Sequence, residues 1–232
     1  MHVATVHEGE NLAKIPSVSS PFAMTASIPQ APESKCTLET MNLYEQSQVD
    51  ELLRQRKICG WADTPDHIVA WRDSMDARRK TMFWIKPTAQ PNLRVGHVSL
   101  DCEAEPPDLE LANPHDKSIF TIARFFILQE HRRGGLGRAV METLERLASK
   151  EPYGSPNCHT IAITTLSRRY TEDDHDRTRY EALEGRPAPP RGSSNEDWYK
   201  RMGYVKWKDV PHYDTRNGSE KYVAAFMRKR IA

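Results

Sequence analysis

Apolar positions along the chain repeat with two different periods, which predicts a domain built from both helices and strands. β-Type runs are expected at 38–43, 82–87, 95–100, 119–128, 160–166, 204–210 and 221–227. Helices are expected where apolar positions recur every three or four residues, at 49–58, 65–75, 136–147 and 198–202. The last two strands are separated by an Asn217-Gly218 turn, which is typical of a hairpin. The pattern therefore predicts an α/β (α+β) domain.

Two segments of the chain lack a clear period. Residues 1–35 carry four prolines among many Ser and Ala residues, so we expect a disordered tail ahead of a domain at 36–232. Residues 167–194 are charged and proline-rich, which predicts a long loop inserted in that domain. The run Asp173-Asp174-His175-Asp176 lies in this loop, but consecutive ligands on a flexible segment rarely close a coordination shell, so no metal site is predicted.

The overall charge of the chain favours no polyelectrolyte partner. Lys plus Arg is 33 and Asp plus Glu is 32, a net charge of +1, so neither nucleic acid nor an anionic membrane is expected. No apolar run approaches the roughly 20 residues that cross a bilayer, and no basic-then-apolar leader is present. The four cysteines form no CxxC pair, so a zinc site or disulfide framework is not expected. These features predict a soluble cytoplasmic protein.

The chemistry-bearing segment follows the apolar run at 119–128. That run has the composition of a central strand buried on both faces, and it leads into a basic, glycine-rich turn at 129–135. The predicted helix begins at once, at Leu136. A helix start offers free N–H groups and a partial positive charge, and glycines let the backbone approach a ligand closely. With Arg132, Arg133 and Arg138 nearby, the segment is suited to a pyrophosphate.

Three known devices hold phosphates in this way, and two of them fit poorly. The P-loop requires GxxxxGK[ST], and no Lys-Ser or Lys-Thr follows these glycines. The dinucleotide motif GxGxxG would start at Gly135 and would place Val140 where glycine or alanine is expected. The pattern Arg132-x-x-Gly135-x-Gly137 matches (Arg/Gln)-x-x-Gly-x-(Gly/Ala), and the chain resembles the GNAT acetyltransferase superfamily at this point.

A second segment is similar to the same family. Tyr199 stands four residues before Gly203-Tyr204, which is the spacing of the family's late helix. The two segments occur in the family's order, and the resemblance covers roughly 42–227. It implies a mixed, strongly twisted sheet whose middle strands splay to admit the pantetheine arm. It also implies acetyl-CoA as the acetyl donor and a primary amine as acceptor, of a small molecule or of the amino-acid type.

The resemblance also assigns residues to the donor. Tyr199 would protonate the leaving sulfur, and the N–H of Ile127 would polarise the acetyl carbonyl. Asn195 would contact the pantetheine, although it is closer to Tyr199 than is usual and could instead cap the helix. The implied cofactor-binding set is Phe125, Phe126, Ile127, Arg132, Arg133, Gly134, Gly135, Leu136, Gly137, Arg138 and Asn195.

The general base is not fixed by the resemblance. An alkylamine of pKa near 10.4 is neutral in only about one molecule in 2,500 at pH 7, so a proton acceptor is needed. Where some family members carry a carboxylate, this chain has Thr121. Asp101 and Glu103 are the candidate bases, with a solvated strand end as the alternative for both, and His97 is expected to be a core histidine. A non-catalytic acyl-CoA-binding regulator and a protein amine acetyltransferase remain open, although Tyr199 favours an enzyme.

Overall fold

A computed structural model describes residues 35–215 and 218–231 of the chain. Within these residues, seven strands form one sheet that carries six α-helices. In chain order the elements are β1 Cys36–Thr40, α1 Gln46–Cys59, α2 Pro65–Asp76, β2 Lys80–Pro87, β3 Gly96–Asp101, β4 Ile119–Ile127, α3 Leu136–Ala148, β5 Thr160–Leu166, α4 Arg169–Glu172, α5 Asp174–Glu184, α6 Asn195–Arg201, β6 Val205–Asp214 and β7 Lys221–Arg230.

The sheet is mixed, as the family resemblance implied. Its strand order is β1-β2-β3-β4-β5-β7-β6, and only the β4–β5 pair is parallel. That parallel pair is in register at three positions only, where 119–121 lie opposite 160–162. The seven residues of β5 pair with β7 along their whole length, so β5 continues past the point where β4 leaves it. The two middle strands therefore part like the arms of a V.

Alternate residues of the strands build a core on each face of the sheet. On one face, Phe83 and Ile85 of β2 pack in the cluster that contains the apolar side of α3 and the inner side of α6. On the other face, Met82 and Trp84 pack with α1 and α2, where Trp71 is fully buried. This alternation is what a strand covered on both sides requires. The arrangement leaves the open end of the V between the two helical layers.

The segment at 167–194 is not the loop that its composition predicted. It contains α4 and α5, and the Asp173 side chain caps α5 by accepting a hydrogen bond from the backbone N–H of Asp176 at 3.1 Å. Three tyrosines, Tyr170, Tyr180 and Tyr222, stack into a buried cluster that fixes these helices on the sheet. The prediction failed because a cap and tertiary packing stabilise these helices, not an apolar stripe along them.

The ends of the domain differ slightly from the predicted bounds. Residues 1–34 lie outside the described residues, and so does Asn217 of the predicted hairpin turn. Lys35 was assigned to the tail, yet its carbonyl accepts a hydrogen bond from the N–H of Thr88 at 3.0 Å, which joins it to the end of β2. Across 35–215 and 218–231, no helix has the length and apolar character needed to span a membrane.

Candidate functional site

A bulge in β4 explains why the two middle strands part. His97 lies opposite Phe126 and Ser99 lies opposite Ala123, so Arg124 and Phe125 together face the single residue Val98. The backbone of Arg124 is left-handed, with φ of 53°. An extra residue in one strand bends it and increases its local twist. Past the bulge, the backbone of 125–127 has no register with β5, so its polar groups border the V.

The glycine-rich turn directly follows β4 and so lies at the wide end of the V. A 3-10 turn at Gln129–His131 follows β4, and Gly134 and Gly135 both have left-handed backbones, with φ of 77° and 82°. Gly135 is the N-cap residue of α3 and no side chain caps the helix, so its first N–H groups remain available to a ligand. A Cβ added to Gly134 would meet nothing within 4 Å, so this side of the turn is open.

The predicted arginines of the turn differ in their roles. Arg132 donates from Nε to the carbonyl oxygen of Ile127 at 2.7 Å, and its guanidinium lies 5.6 Å from the centre of the Phe126 ring. Arg132 thus ties the turn to the end of β4. Arg133 is exposed, and Arg138 is exposed on the first turn of α3 with Glu142 4.0 Å away. Both can reach an anion that sits on the helix start.

Lys35 is a further cation at the turn. Its Nζ donates a hydrogen bond to the carbonyl oxygen of Gly134 at 2.8 Å, and a Cβ added to Gly135 would lie 3.5 Å from the same nitrogen. The sequence pattern did not identify Lys35, because it lies 99 residues from Gly134 and only the sheet brings them together. The positive charge at the turn therefore comes from two distant parts of the chain, Lys35 and the arginines of 132–138.

Helix α6 places Tyr199 against the same end of β4. The helix begins at the cap Ser194 and is followed by Gly203, whose φ of 90° is a left-handed turn. Trp198 lies 6.2 Å from the Phe125 ring and 4.8 Å from the Tyr199 ring, and a Cβ added to Gly137 would lie 3.4 Å from it. The bulge, the start of α3 and Tyr199 are therefore adjacent.

The Tyr199 hydroxyl is chemically uncommitted. Burial raises the pKa of this phenol, and the nearby Tyr213 raises it further, so the group holds its proton at neutral pH. Among the residues that the structure describes, none forms a hydrogen bond with this hydroxyl. A protonated, buried donor without a partner is suited to a group that develops charge only during reaction.

Tyr213 of β6 forms the facing wall of the V. Its hydroxyl donates to Oγ1 of Thr164 on β5 at 2.9 Å, and burial raises its pKa to about 12, while the Thr164 bond and the Arg124 charge lower it. Trp61, from the connection between α1 and α2, lies 5.8 Å from the Tyr213 ring. Tyr213 therefore connects β6 with β5 and with the connection between α1 and α2.

Arg124 lies on the Tyr213 side of the V. Its guanidinium is 5.3 Å from the centre of the Trp71 ring, and one terminal nitrogen is 3.2 Å from a Glu105 carboxylate oxygen. Its Nε is buried and has no hydrogen-bond partner in the part of the chain that the structure describes. Arg56 of α1 lies 5.7 Å from the same Trp71 ring and is buried, and across 35–215 and 218–231 it forms no ion pair. Two cations thus share one aromatic ring.

The two candidate bases are both held in ion pairs. Asp101 is buried, binds Lys80 and accepts from the Ser99 hydroxyl at 3.2 Å, while its Oδ1 is buried and has no hydrogen-bond partner among residues 35–215 and 218–231. It lies opposite Thr121, at the end where β4 and β5 are still paired. Glu103 is partly exposed and lies 3.2 Å from Arg79. Thr121 donates its hydroxyl to the carbonyl oxygen of Ala162 at 3.1 Å and so helps to join the two strands.

Two other predicted residues can be placed. His97 is fully buried, with Nδ1 2.9 Å from Gln55 Oε1 and Nε2 3.3 Å from Arg56, so its expected role in the core is confirmed. Asn195 is exposed on the first turn of α6. The cap of that helix is Ser194, which accepts from the N–H of Asp197 at 3.4 Å, so Asn195 is not the cap.

Comparisons with known proteins agree on the fold. No protein-family model matches the chain, and no curated protein is similar to it in sequence. Among solved structures, the spermidine N-acetyltransferase from Vibrio cholerae in complex with CoA and spermine has a TM-score of 0.54 and 13% identity, covering 85% of this chain and 96% of that chain. A chimera of the Vibrio cholerae enzyme SpeG and hSSAT has a TM-score of 0.56 and 12% identity, with the same coverage. The chain therefore has the fold of the GNAT acetyltransferases.

Proposed function

We propose that the protein is an acetyl-CoA-dependent N-acetyltransferase that acetylates a primary amine of a small molecule or amino-acid-type acceptor by direct attack. The observation that carries this proposal is the V between β4 and β5, with an uncapped helix start at its mouth and Tyr199 at its side. The fold shared with N-acetyltransferases, one of them solved with CoA, supports the same activity.

The residues at the mouth of the V fit the donor. In this proposal the pyrophosphate of acetyl-CoA lies on the N–H groups of 134–138, with Lys35, Arg133 and Arg138 as countercharges. Arg132 contributes mainly by fixing the turn to Ile127. In this proposal the backbone groups of Phe125 and Ile127, together with the exposed Asn195, border the path of the pantetheine arm. Acetyl-CoA supplies an activated acetyl group and a thiol leaving group.

The protein's own groups would handle the protons of the transfer. The Tyr199 hydroxyl donates a hydrogen bond to the departing sulfur, and the N–H of Ile127 polarises the acetyl carbonyl. The amine proton leaves through water or through the hydroxyl pair of Tyr213 and Thr164, which faces the V. Asp101 can serve as the base only if its ion pair with Lys80 opens.

Binding and turnover test this proposal separately. Acetyl-CoA and CoA should each raise the melting temperature of the full chain, because a ligand bound only to the folded state stabilises it, whereas NAD and ATP should do much less. Thiol release from acetyl-CoA should then depend on an added amine. Equal shifts from all four ligands would overturn the assignment of the donor. CoA binding without amine-dependent thiol release across a broad amine panel would indicate an acyl-CoA-binding regulator.

A further inference from the structure

Arg124 occupies a position that glycine would fill more easily. It is the bulge residue of β4, and its φ of 53° is a left-handed conformation that a non-glycine residue adopts at a cost. Strain of this kind persists where the surroundings hold it in place, and it clusters at functional sites. The bulge itself needs only the backbone, so the arginine side chain at this point calls for its own explanation.

The guanidinium of Arg124 has unused capacity to donate hydrogen bonds. Arginine carries five N–H donors, and within the described residues this one has a single hydrogen-bond partner, Glu105, whose side chain is 64% exposed. Its Nε is buried and meets no acceptor among the same residues. A buried donor without a partner is costly, so a ligand that accepts from it would gain the bond without a competing protein group.

The surroundings of Arg124 belong to the acceptor side of the V. The side chain lies against Trp71 of α2, on the face of the sheet away from α3. Burial raises the pKa of Tyr213, and the Thr164 hydrogen bond and the Arg124 charge lower it. Burial lowers the pKa of His212, Lys221 and Arg124 lower it further, and Asp108 and Asp214 raise it. The glycine-rich turn, which is proposed to bind acetyl-CoA, lies at the other end of 124–135.

Two arginines contribute positive charge to this wall. Arg56 shares the Trp71 ring with Arg124 and forms no ion pair within 35–215 and 218–231. The carboxylates near the two guanidiniums include Glu105 and Asp63, both exposed, while Asp108 and Asp214 act on the neighbouring His212. Two guanidiniums, one buried and one partly buried, repel a polycation and attract a carboxylate. The planar fork of arginine also matches a carboxylate in geometry.

We propose that the acceptor carries a carboxylate, which Arg124 binds beside Trp71, so that the substrate class is an amino acid and not a polyamine. This inference rests on the proposed N-acetyltransferase function and names the acceptor of that site. Arg124 is a specificity residue that holds the acceptor's anionic end, while the amine extends toward the V between Tyr199 and Tyr213.

The experiment measures thiol release from acetyl-CoA with the full chain and matched acceptors. The probes are α-, β- and ω-amino acids, their carboxamides, and spermidine. The acids should exceed their own carboxamides in kcat/KM by about tenfold or more, because a carboxylate forms charge-assisted hydrogen bonds with the guanidinium and offers two acceptor oxygens, whereas the neutral carboxamide offers one. The carboxamides have the lower amine pKa and so more neutral amine, which biases the comparison against the expected result.

Two variants separate acceptor binding from support of the fold. In Arg124→Gln, the preference for acids should disappear through a rise in KM of about tenfold or more, with the Kd for CoA unchanged. Glu105→Gln removes the same ion pair but keeps the cation, so it should retain the preference. If Arg124→Gln does not fold, the ratio of kcat/KM for the acids to kcat/KM for their carboxamides in the unaltered protein still tests the carboxylate inference.

The outcomes distinguish the two proposals. Amine-dependent thiol release that favours spermidine or the carboxamides would overturn the carboxylate inference and leave the acetyltransferase intact. Retention of the acid preference in folded Arg124→Gln would also overturn it. Absence of CoA binding, or of thiol release with every acceptor, would overturn the proposed function and this inference with it.

Discussion

At the scale of single residues, the Tyr199 hydroxyl separates an enzyme from a binding module. Tyr199→Phe keeps the ring that packs against Trp198 and Tyr204 and removes only the donor. If the hydroxyl assists the departing sulfur, turnover should fall by roughly 10²- to 10⁴-fold, while CoA affinity changes little. The measurements are thiol release at saturating acetyl-CoA and a separate CoA titration. Normal turnover in folded Tyr199→Phe would leave this tyrosine as a structural aromatic.

His97 gives the protein a defined response to acid. Burial lowers the pKa of His97 well below 6.5, and the Arg56 charge lowers it further, so the folded protein keeps this ring neutral. Well above pH 6.5 the His97 ring is neutral in both the folded and the unfolded protein, so it does not change the free energy of unfolding. Below pH 6.5 the unfolded chain takes up a proton that the folded chain does not, so stability falls by at most about 1.4 kcal/mol per pH unit.

The variant His97→Gln tests this response, because it removes the titrating group and keeps a polar side chain. Its free energy of unfolding should depend less steeply on pH between about 6.5 and 5 than that of the unaltered protein. Denaturant titrations at several pH values give the two slopes. The absolute stability of the variant does not enter the comparison. Parallel slopes would show that His97 is protonated equally in both states.

Residue-scale prediction from sequence was possible where the signal was local. The family resemblance identified Tyr199 by its spacing to Gly203, and in the structure Trp198 connects it with Phe125 and the start of α3. Lys35 and Arg124 were not identified, because their significance comes from partners distant in sequence, such as Gly134 and Trp71. No periodic pattern or short motif marks residues of this kind.

At the scale of secondary-structure elements, the turn before α3 is where we expect the pyrophosphate of acetyl-CoA to bind. Gly135→Glu would place a negative side chain where the pyrophosphate is proposed to lie, and we expect CoA affinity to fall more than tenfold, or by over about 1.4 kcal/mol. Gly185→Glu is the matched control. Gly185 also has a left-handed backbone, with φ of 65° against 82° for Gly135, and a Cβ there meets nothing within 4 Å.

Both glycine variants should lose comparable stability from backbone strain, but only Gly135→Glu should lose CoA binding. Isothermal titration with CoA and thermal denaturation provide the two readouts. An equal loss of affinity in Gly185→Glu would attribute the effect to general destabilisation. Unchanged affinity in folded Gly135→Glu would move the donor site away from the turn.

Elements with a clear apolar pattern were predicted from the sequence, and elements without one were missed. The strand predicted at 160–166 matches β5, and α3 begins at Leu136 as predicted. Helix α5 was missed because few apolar residues mark it; the Asp173 cap and the packing of Tyr180 on Tyr170 and Tyr222 stabilise it. The contacts with Tyr222 join these helices to β7, which is distant in sequence, so a local pattern could not predict them.

At the scale of the whole molecule, the parting of β4 and β5 is the feature that creates the site. The family resemblance implied it, but no periodicity in 119–128 reveals the bulge at Arg124, since the apolar run continues through it. The bulge depends on the pairing of β4 with β3, where two residues face one. The order of elements was therefore within reach of sequence analysis, while the geometry of the V was not.

The boundary of the folded molecule gives a final prediction. Removing residues 1–34 while keeping Lys35 should leave the melting temperature and CoA affinity nearly unchanged, because 1–34 lack a helical or strand period. In the same shortened chain, Lys35→Gln should weaken CoA binding by about three- to tenfold, since a charge-assisted contact contributes on the order of 1 kcal/mol. Lys150→Gln, at the exposed far end of α3, removes the same charge and should leave affinity unchanged.

The three chains together separate charge from folding. A loss of affinity in Lys35→Gln that high salt abolishes would indicate an electrostatic contact with the phosphates, because salt screens exposed charges. A loss that persists in high salt would indicate that the bond from Lys35 to the Gly134 carbonyl orders the turn. Equal losses of CoA affinity in Lys35→Gln and Lys150→Gln would show that the net charge of the chain, and not the position of Lys35, causes the effect. A large fall in melting temperature on removing 1–34 would show that the first residues pack on the domain and are not a dispensable tail.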